Sequence, residues 1–105
     1  MERLGPADYS PQGTTDTARL LGDGLAALDL RMGDRVVFAR GRLPAFGDLA
    51  VLREGPEAPL SLWKVYPEGD QLNLSDGVAR HAAAEGTQVE GVVLAVQRGF
   101  AGAAD

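Results

Sequence analysis

Apolar positions in this chain come in short runs cut by Gly, Pro and Asp, and they almost never recur at helical spacing. That pattern specifies strands joined by tight turns. Arg35-Val36-Val37-Phe38-Ala39 is β-branched and aromatic, and it lies between Gly33-Asp34 and Gly41. Asp48-Leu49-Ala50-Val51-Leu52-Arg53 predicts a second strand, left through Gly55-Pro56, and Leu60-Ser61-Leu62-Trp63-Lys64-Val65-Tyr66 a third, between Pro59 and Pro67. Gln71-Leu72-Asn73-Leu74 alternates polar with apolar, and Glu68-Gly69-Asp70 predicts a hairpin before it. Residues 89–96 are the most apolar stretch, with Gly91 marking a bulge or bend. Thr17-Ala18-Arg19-Leu20-Leu21 predicts a short opening strand, while Leu25-Ala26-Ala27-Leu28 and residues 78–85 each predict one or two helical turns. The expected fold is mainly β with little helix: an antiparallel or mixed sheet, folded over into a partial barrel.

Gly-Asp recurs before three of these runs, at Gly33-Asp34, Gly47-Asp48 and Gly69-Asp70. Gly supplies the left-handed position of a turn and Asp caps the backbone before the next strand, so these pairs read as turn chemistry rather than metal loops. Residues 1–14 carry Gly5, Pro6, Pro11 and Gly13 without apolar periodicity and predict a flexible tail or linker stub. One domain over 15–100 and a loose C-terminus at 101–105 complete the expected organisation.

Composition narrows the function. With 15 Asp+Glu against 10 Lys+Arg the net charge is −5, which argues against direct nucleic-acid binding by this chain. The absence of Cys and the single His, His81, remove thiolate chemistry and a histidine-rich metal site; no metal and no cofactor is expected. No apolar run approaches the roughly 20 residues that span a bilayer, and no signal-like stretch opens the chain, so no membrane contact and a cytoplasmic location are expected.

The order of the turns carries a more specific signal. Gly22-Asp23-Gly24-Leu25, followed after residues 26–32 by Gly33-Asp34 and a β-run, resembles the LexA-like self-cleaving serine peptidases, a family of repressors and mutagenesis proteins whose nucleophile motif often reads Gly-Asp-Ser-Met. Phe46-Gly47-Asp48-Leu49-Ala50-Val51 is similar to the family's next strand, Leu62-Trp63-Lys64-Val65 to its lysine segment, and Leu72-Asn73-Leu74-Ser75-Asp76-Gly77 to the stretch after it. Val89-Glu90-Gly91-Val92-Val93-Leu94-Ala95-Val96-Gln97-Arg98 resembles its closing strand. The resemblance covers residues 17–100 and implies the family's C-terminal peptidase fold, with a role in transcription regulation or the SOS response.

The dyad that the resemblance implies is missing. A self-cleaving domain of this kind needs a hydroxyl activated by a neutral lysine amine. Gly24 stands at the serine position and Trp63 at the lysine position, with Asp23, Leu25 and Lys64 around the vacated site. Trp63 either fills the space of the missing lysine stem or lines a groove for a peptide. The segment before Gly24 offers only poor matches to the family's cleavage bond, at Leu4-Gly5 and Gly13-Thr14, and no counterpart of its helix-turn-helix, so either a fragment of a longer regulator or a domain that stands alone is expected. The leading expectation is a catalytically inactive domain for dimerisation or regulation, a homodimer paired through Val92, Val93, Leu94, Val96 and Arg98, with a protein or peptide partner for the vacant cleft. Two rivals stand beside it: a small β-barrel adaptor unrelated to peptidases, and an atypical serine peptidase using Ser61 or Ser75 with Lys64.

Overall fold

The computed structural model describes residues 2–5, 8–9 and 14–98. The described chain is mainly β. Its strands are β1 (Glu2–Arg3), β2 (Asp8–Tyr9), β3 (Thr15–Arg19), β4 (Arg35–Arg40), β5 (Leu49–Arg53), β6 (Leu60–Glu68), β7 (Gln71–Ser75), β8 (Arg80–Ala82) and β9 (Gln88–Gln97). All pairings are antiparallel, in the order β2-β3-β4-β9-β5-β6-β7-β8, with β1 added to β6, and the sheet does not close into a barrel.

Alternation of side chains across each strand builds two cores, one on each face. Val51, Leu60 and Leu62 join Ala18, Leu20, Leu25, Leu30, Val36 and Phe38 on the first face. Their sequence neighbours Ala50, Leu52, Trp63 and Val65 join Leu74 on the second. The five longer strand predictions hold within a residue or two, and the opening strand sits two residues earlier, at Thr15–Arg19. The Gly-Asp reading is also what the turns show. Gly33, Gly47 and Gly69 have φ of 91, 89 and 61°, Asp34 Oδ2 accepts the Arg31 amide and Asp48 Oδ2 accepts the Ala45 amide.

Gly91 is where β9 comes closest to its neighbour. A Cβ there would lie 2.6 Å from both the Ala39 carbonyl oxygen and Phe38 Cδ2. Beside it the β5 pairing steps from Val51↔Gly91 to Leu52↔Val89, leaving Glu90 as the extra residue. A second step, from Val37↔Ala95 to Phe38↔Val93, leaves Leu94 extra against β4.

Two expectations are corrected. Residues 78–85 form no helix; Arg80–Ala82 is a strand, because Asp76 Oδ1 accepts the amides of Val78 and Ala79 and turns the chain so that His81 pairs with Leu74. Those same amides, Ala79 first and then Val78, hold the Asp76 carboxyl below its usual range. The stretch 25–28, by contrast, keeps a single helical turn as expected, a 3-10 turn at Ala26–Leu28 ended by Asp29 at φ 61°. The N-terminal segment is no loose tail over residues 2–5: β1 pairs Glu2↔Leu62 and Arg3↔Ser61, and Leu4 bridges to Leu20. Residues 2–5 thus connect β6 to the far limb of the folded sheet. Ser10, Gly13 and residues 101–105 lie outside the described residues.

Candidate functional site

The loop 21–25 is built around a carboxylate. The amides of Leu21, Gly22 and Gly24 donate to Glu2 at 3.0, 2.9 and 2.9 Å, Leu21 and Gly22 to Oε2 and Gly24 to Oε1. Glu2 is 1 % exposed. Converging backbone N–H groups of this kind form an anion-binding concavity, and here the chain's own side chain fills it. Asp23 faces away: its Oδ1 accepts the Met32 amide at 2.9 Å, which fixes the loop to the 31–33 turn. Leu25 is fully buried in the first core. The expected surroundings of the vacated nucleophile therefore do structural work, and Gly24 itself contributes an amide rather than a side chain.

Trp63 is turned the other way. Glu2 lies opposite Leu62, on the face of the first core, whereas Trp63 belongs to the second core. Its indole Nε1–H donates to Ser61 Oγ at 3.1 Å, and its ring meets His81 edge-on at 5.1 Å between centroids. Gly24 and Trp63 therefore belong to opposite faces of the sheet around β6, and no shared cleft is built from them. The structure brings Lys64, not Trp63, onto the Leu62 face. Two surface concavities lie elsewhere, one lined by Glu68, Gln71, Leu72 and Thr87 and one by Thr15, Ala39, Arg40 and Leu94.

The serines can be placed as well. Ser61 is buried, accepting from Trp63 and donating to the Leu52 carbonyl at 3.5 Å, and it faces away from Lys64. Ser75 lies directly opposite Lys64 across β6 and β7, but its Oγ accepts the Gly77 amide at 3.0 Å. No side-chain hydrogen bond joins Ser75 Oγ to Lys64 Nζ among the described residues. Lys64 Nζ instead stands 5.9 Å from the centre of the Tyr66 ring. Tyr66 also carries Arg80 at 3.7 Å and Phe46 edge-on at 4.8 Å. A nucleophile needs its base within hydrogen-bond reach, and this arrangement supplies a cation–aromatic cluster instead.

Along β9 the residues expected at an interface separate into three kinds. Val92 is buried and Val93 half-buried against the first core. Leu94 and Val96 are 49 and 39 % exposed. Arg98 is engaged within the chain: its guanidinium reaches Asp34 Oδ1 at 3.2 Å and Oδ2 at 3.1 Å, and the Asp29 carbonyl. The Arg98 hydrogen bonds hold the Asp34 carboxyl below its ordinary range, helped by the Arg31 amide and opposed by burial; the Arg98 guanidinium is raised in return.

Backbone pairing along β9 is uneven. From Gln88 to Val92 the strand is flanked by β5, and from Gly91 to Gln97 by β4. Over residues 93–97 no described strand pairs the edge that β5 covers further up. Sequence reasoning missed Glu2, since a carboxylate near the start of the chain carries no local signal that distant amides await it. It also missed the buried Asp16, whose Oδ2 lies 2.9 Å from Arg40 Nε. Comparison with protein-family models gives no match, and comparison with curated proteins gives none either.

Proposed function

We propose that this chain is a catalytically inactive interaction domain, LexA-like in the order of its motifs, that pairs with a second copy through residues 93–97 of β9. The observation that carries the reading is the composition of that edge. Val93-Leu94-Ala95-Val96-Gln97 holds no charge and no proline, and Leu94 to Gln97 are exposed. Natural sheets protect free edges with charges, prolines or very short strands. The β8 end of the sheet follows that rule, since β8 is three residues long and carries Arg80. An unprotected apolar edge that joins its equivalent antiparallel across a two-fold axis gives a closed dimer. Loss of chemistry is supported by Gly24, which has no side chain to serve as nucleophile, and by Ser75, whose Oγ accepts the Gly77 amide and makes no hydrogen bond to the Lys64 amine.

Sedimentation equilibrium at tens of micromolar tests the pairing. The expected result is a dimer for the parent chain and a monomer for Leu94→Lys/Val96→Lys, which places charges on the edge without touching a buried position. A parent chain that sediments only as monomer, or a double variant that stays dimeric, overturns it. A fluorophosphonate probe tests the chemistry: the chain is expected to remain unlabelled, and labelling that disappears in Lys64→Ala would establish a peptidase.

A further inference from the structure

Residues 2–5 are held as a bound peptide is held. Backbone bonds run from both sides: the Leu4 amide donates to the Leu60 carbonyl at 3.0 Å, the Gly5 amide to the Arg19 carbonyl at 2.7 Å, and the Leu21 amide to the Arg3 carbonyl at 3.0 Å. Side chains then alternate in the manner of strand-addition recognition, in which main-chain bonds give affinity and alternate pockets give specificity. Glu2 enters the three-amide concavity and Leu4 enters the first core at 5 % exposure, while Arg3 between them stays in solvent. At the fourth position a Cβ on Gly5 would meet Leu21 Cδ2 at 3.5 Å and the Arg19 carbonyl oxygen at 3.7 Å, which is ordinary contact, so the slot demands no glycine there.

We propose that the slot between β6 and residues 19–24 is a peptide-recognition site for an extended segment of another protein carrying a carboxylate side chain two places before an apolar one, and that residues 2–5 occupy it in cis. The Gly22 and Gly24 N–H groups, with the Leu21 N–H shared between Glu2 Oε2 and the Arg3 carbonyl, read the carboxylate, because its two oxygens accept from both ends of the loop at once. The apolar residue two places on is read by Leu20, Leu25, Leu60 and Leu62 of the first core. The cis segment pairs with β6 over only Glu2 and Arg3, and being covalently tethered it acts as a competitor whose effective concentration the incoming segment must exceed. This site is separate from the β9 edge and stands or falls independently of it.

The test uses the full chain and the fluorescent peptide Met-Glu-Arg-Leu-Gly-Pro, read by polarisation. Weakening the cis segment with Glu2→Ala is expected to expose the slot, giving saturable binding at least about tenfold tighter than the parent chain shows. The same peptide with its Glu or its Leu replaced by Ala is expected not to bind. If Glu2→Ala melts too low to assay, Glu2→Gln retains one acceptor oxygen, and a rise in its melting temperature on adding the peptide is the second readout. Absence of binding and of thermal shift in both variants, or equal binding of the Ala-substituted peptides, overturns the proposal. Repeating the titration in the Leu94→Lys/Val96→Lys background keeps the result apart from dimer formation.

Discussion

Replacing Gly91 with Ala adds one methyl group at the tightest approach in the sheet, and the structure fixes what that methyl meets. The new Cβ would stand 2.6 Å from the Ala39 carbonyl oxygen, 3.1 Å from the Ala39 carbonyl carbon and 2.6 Å from Phe38 Cδ2. Phe38 is 2 % exposed and has no open side to swing toward. The Ala39 carbonyl belongs to the β4 backbone, whose ladder pairs Ala39 with Val92 and Arg40 with Gly91. Relief therefore comes only by lifting β9 off β4 locally. Overpacking of this kind costs about 1–3 kcal/mol, and a backbone clash puts Gly91→Ala at the upper end, about 2–3 kcal/mol. For a domain of this size that lowers the melting temperature by roughly 10–20 °C. Gly55→Ala is the matched control, since nothing lies within 4 Å of its Cβ and its φ is not left-handed; it should be neutral or slightly stabilising through the unfolded chain. Urea unfolding followed by tryptophan fluorescence gives both values from the single Trp63. If Gly91→Ala loses under 0.5 kcal/mol while Gly55→Ala behaves as expected, the close approach of β9 to β4 is wrong.

Trp63→Lys should destabilise the domain by about 3–5 kcal/mol in the same assay read by circular dichroism, because it removes a buried indole and sets an ammonium beside Ala50, Leu52 and Val65. Combining it with Gly24→Ser should give no self-cleaved product by mass spectrometry at alkaline pH, since the two positions face opposite sides of the sheet; a discrete shortened chain would falsify that placement. Arg98→Gln should make the domain more acid-sensitive. Asp34 is held below its usual pKa chiefly by Arg98, so its contribution is present above the unfolded value near 3.9 and is lost only as pH falls through the lower folded value. Without Arg98 the folded value rises, and acid unfolding followed by circular dichroism should begin at higher pH than in the parent.

The strands were legible because each is short, apolar and fenced by Gly, Pro or Asp, as residues 49–53 and 60–66 are, although β6 runs on through Pro67 to Glu68. The 78–85 stretch misled because Arg80-His81-Ala82-Ala83-Ala84 has helix-forming composition, and only the Asp76 cap with the Leu74 and Leu72 partners turns it into an edge strand. Local propensity lost to pairing there, as it commonly does in sheets. The candidate site fared differently. Gly24 was legible as a position without a side chain, but the face that Trp63 presents depends on strand parity, and one residue of register decides it. Lys64, one place later, takes the Leu62 face. The role of Glu2 was invisible, since its partners lie about twenty residues away and are backbone amides, which carry no sequence signature.

An open antiparallel sheet must dispose of every backbone edge it does not close, and the two proposals concern the two long gaps this one leaves. The ends of the strand order need little, because β2 and β8 are short and β8 carries Arg80. The first gap runs between the start of β6 and residues 19–24, where Leu60 and Arg19 present carbonyls and Leu21, Gly22 and Gly24 present amides. Residues 2–5 satisfy all of them at once. Burying such groups unpaired costs about 1–3 kcal/mol each, so this gap favours occupation by whatever extended segment fits. The second gap, along residues 93–97, leaves Leu94 to Gln97 exposed, so its backbone groups are open to water rather than buried. The driving force there is the covering of Leu94 and Val96 rather than the rescue of buried polar groups. The two sites should therefore respond oppositely to chemistry. Peptide capture in the first should depend on a carboxylate and weaken as that carboxylate is protonated in acid. Pairing at the second should depend on apolar area and persist in high salt, where charge–charge attraction is screened.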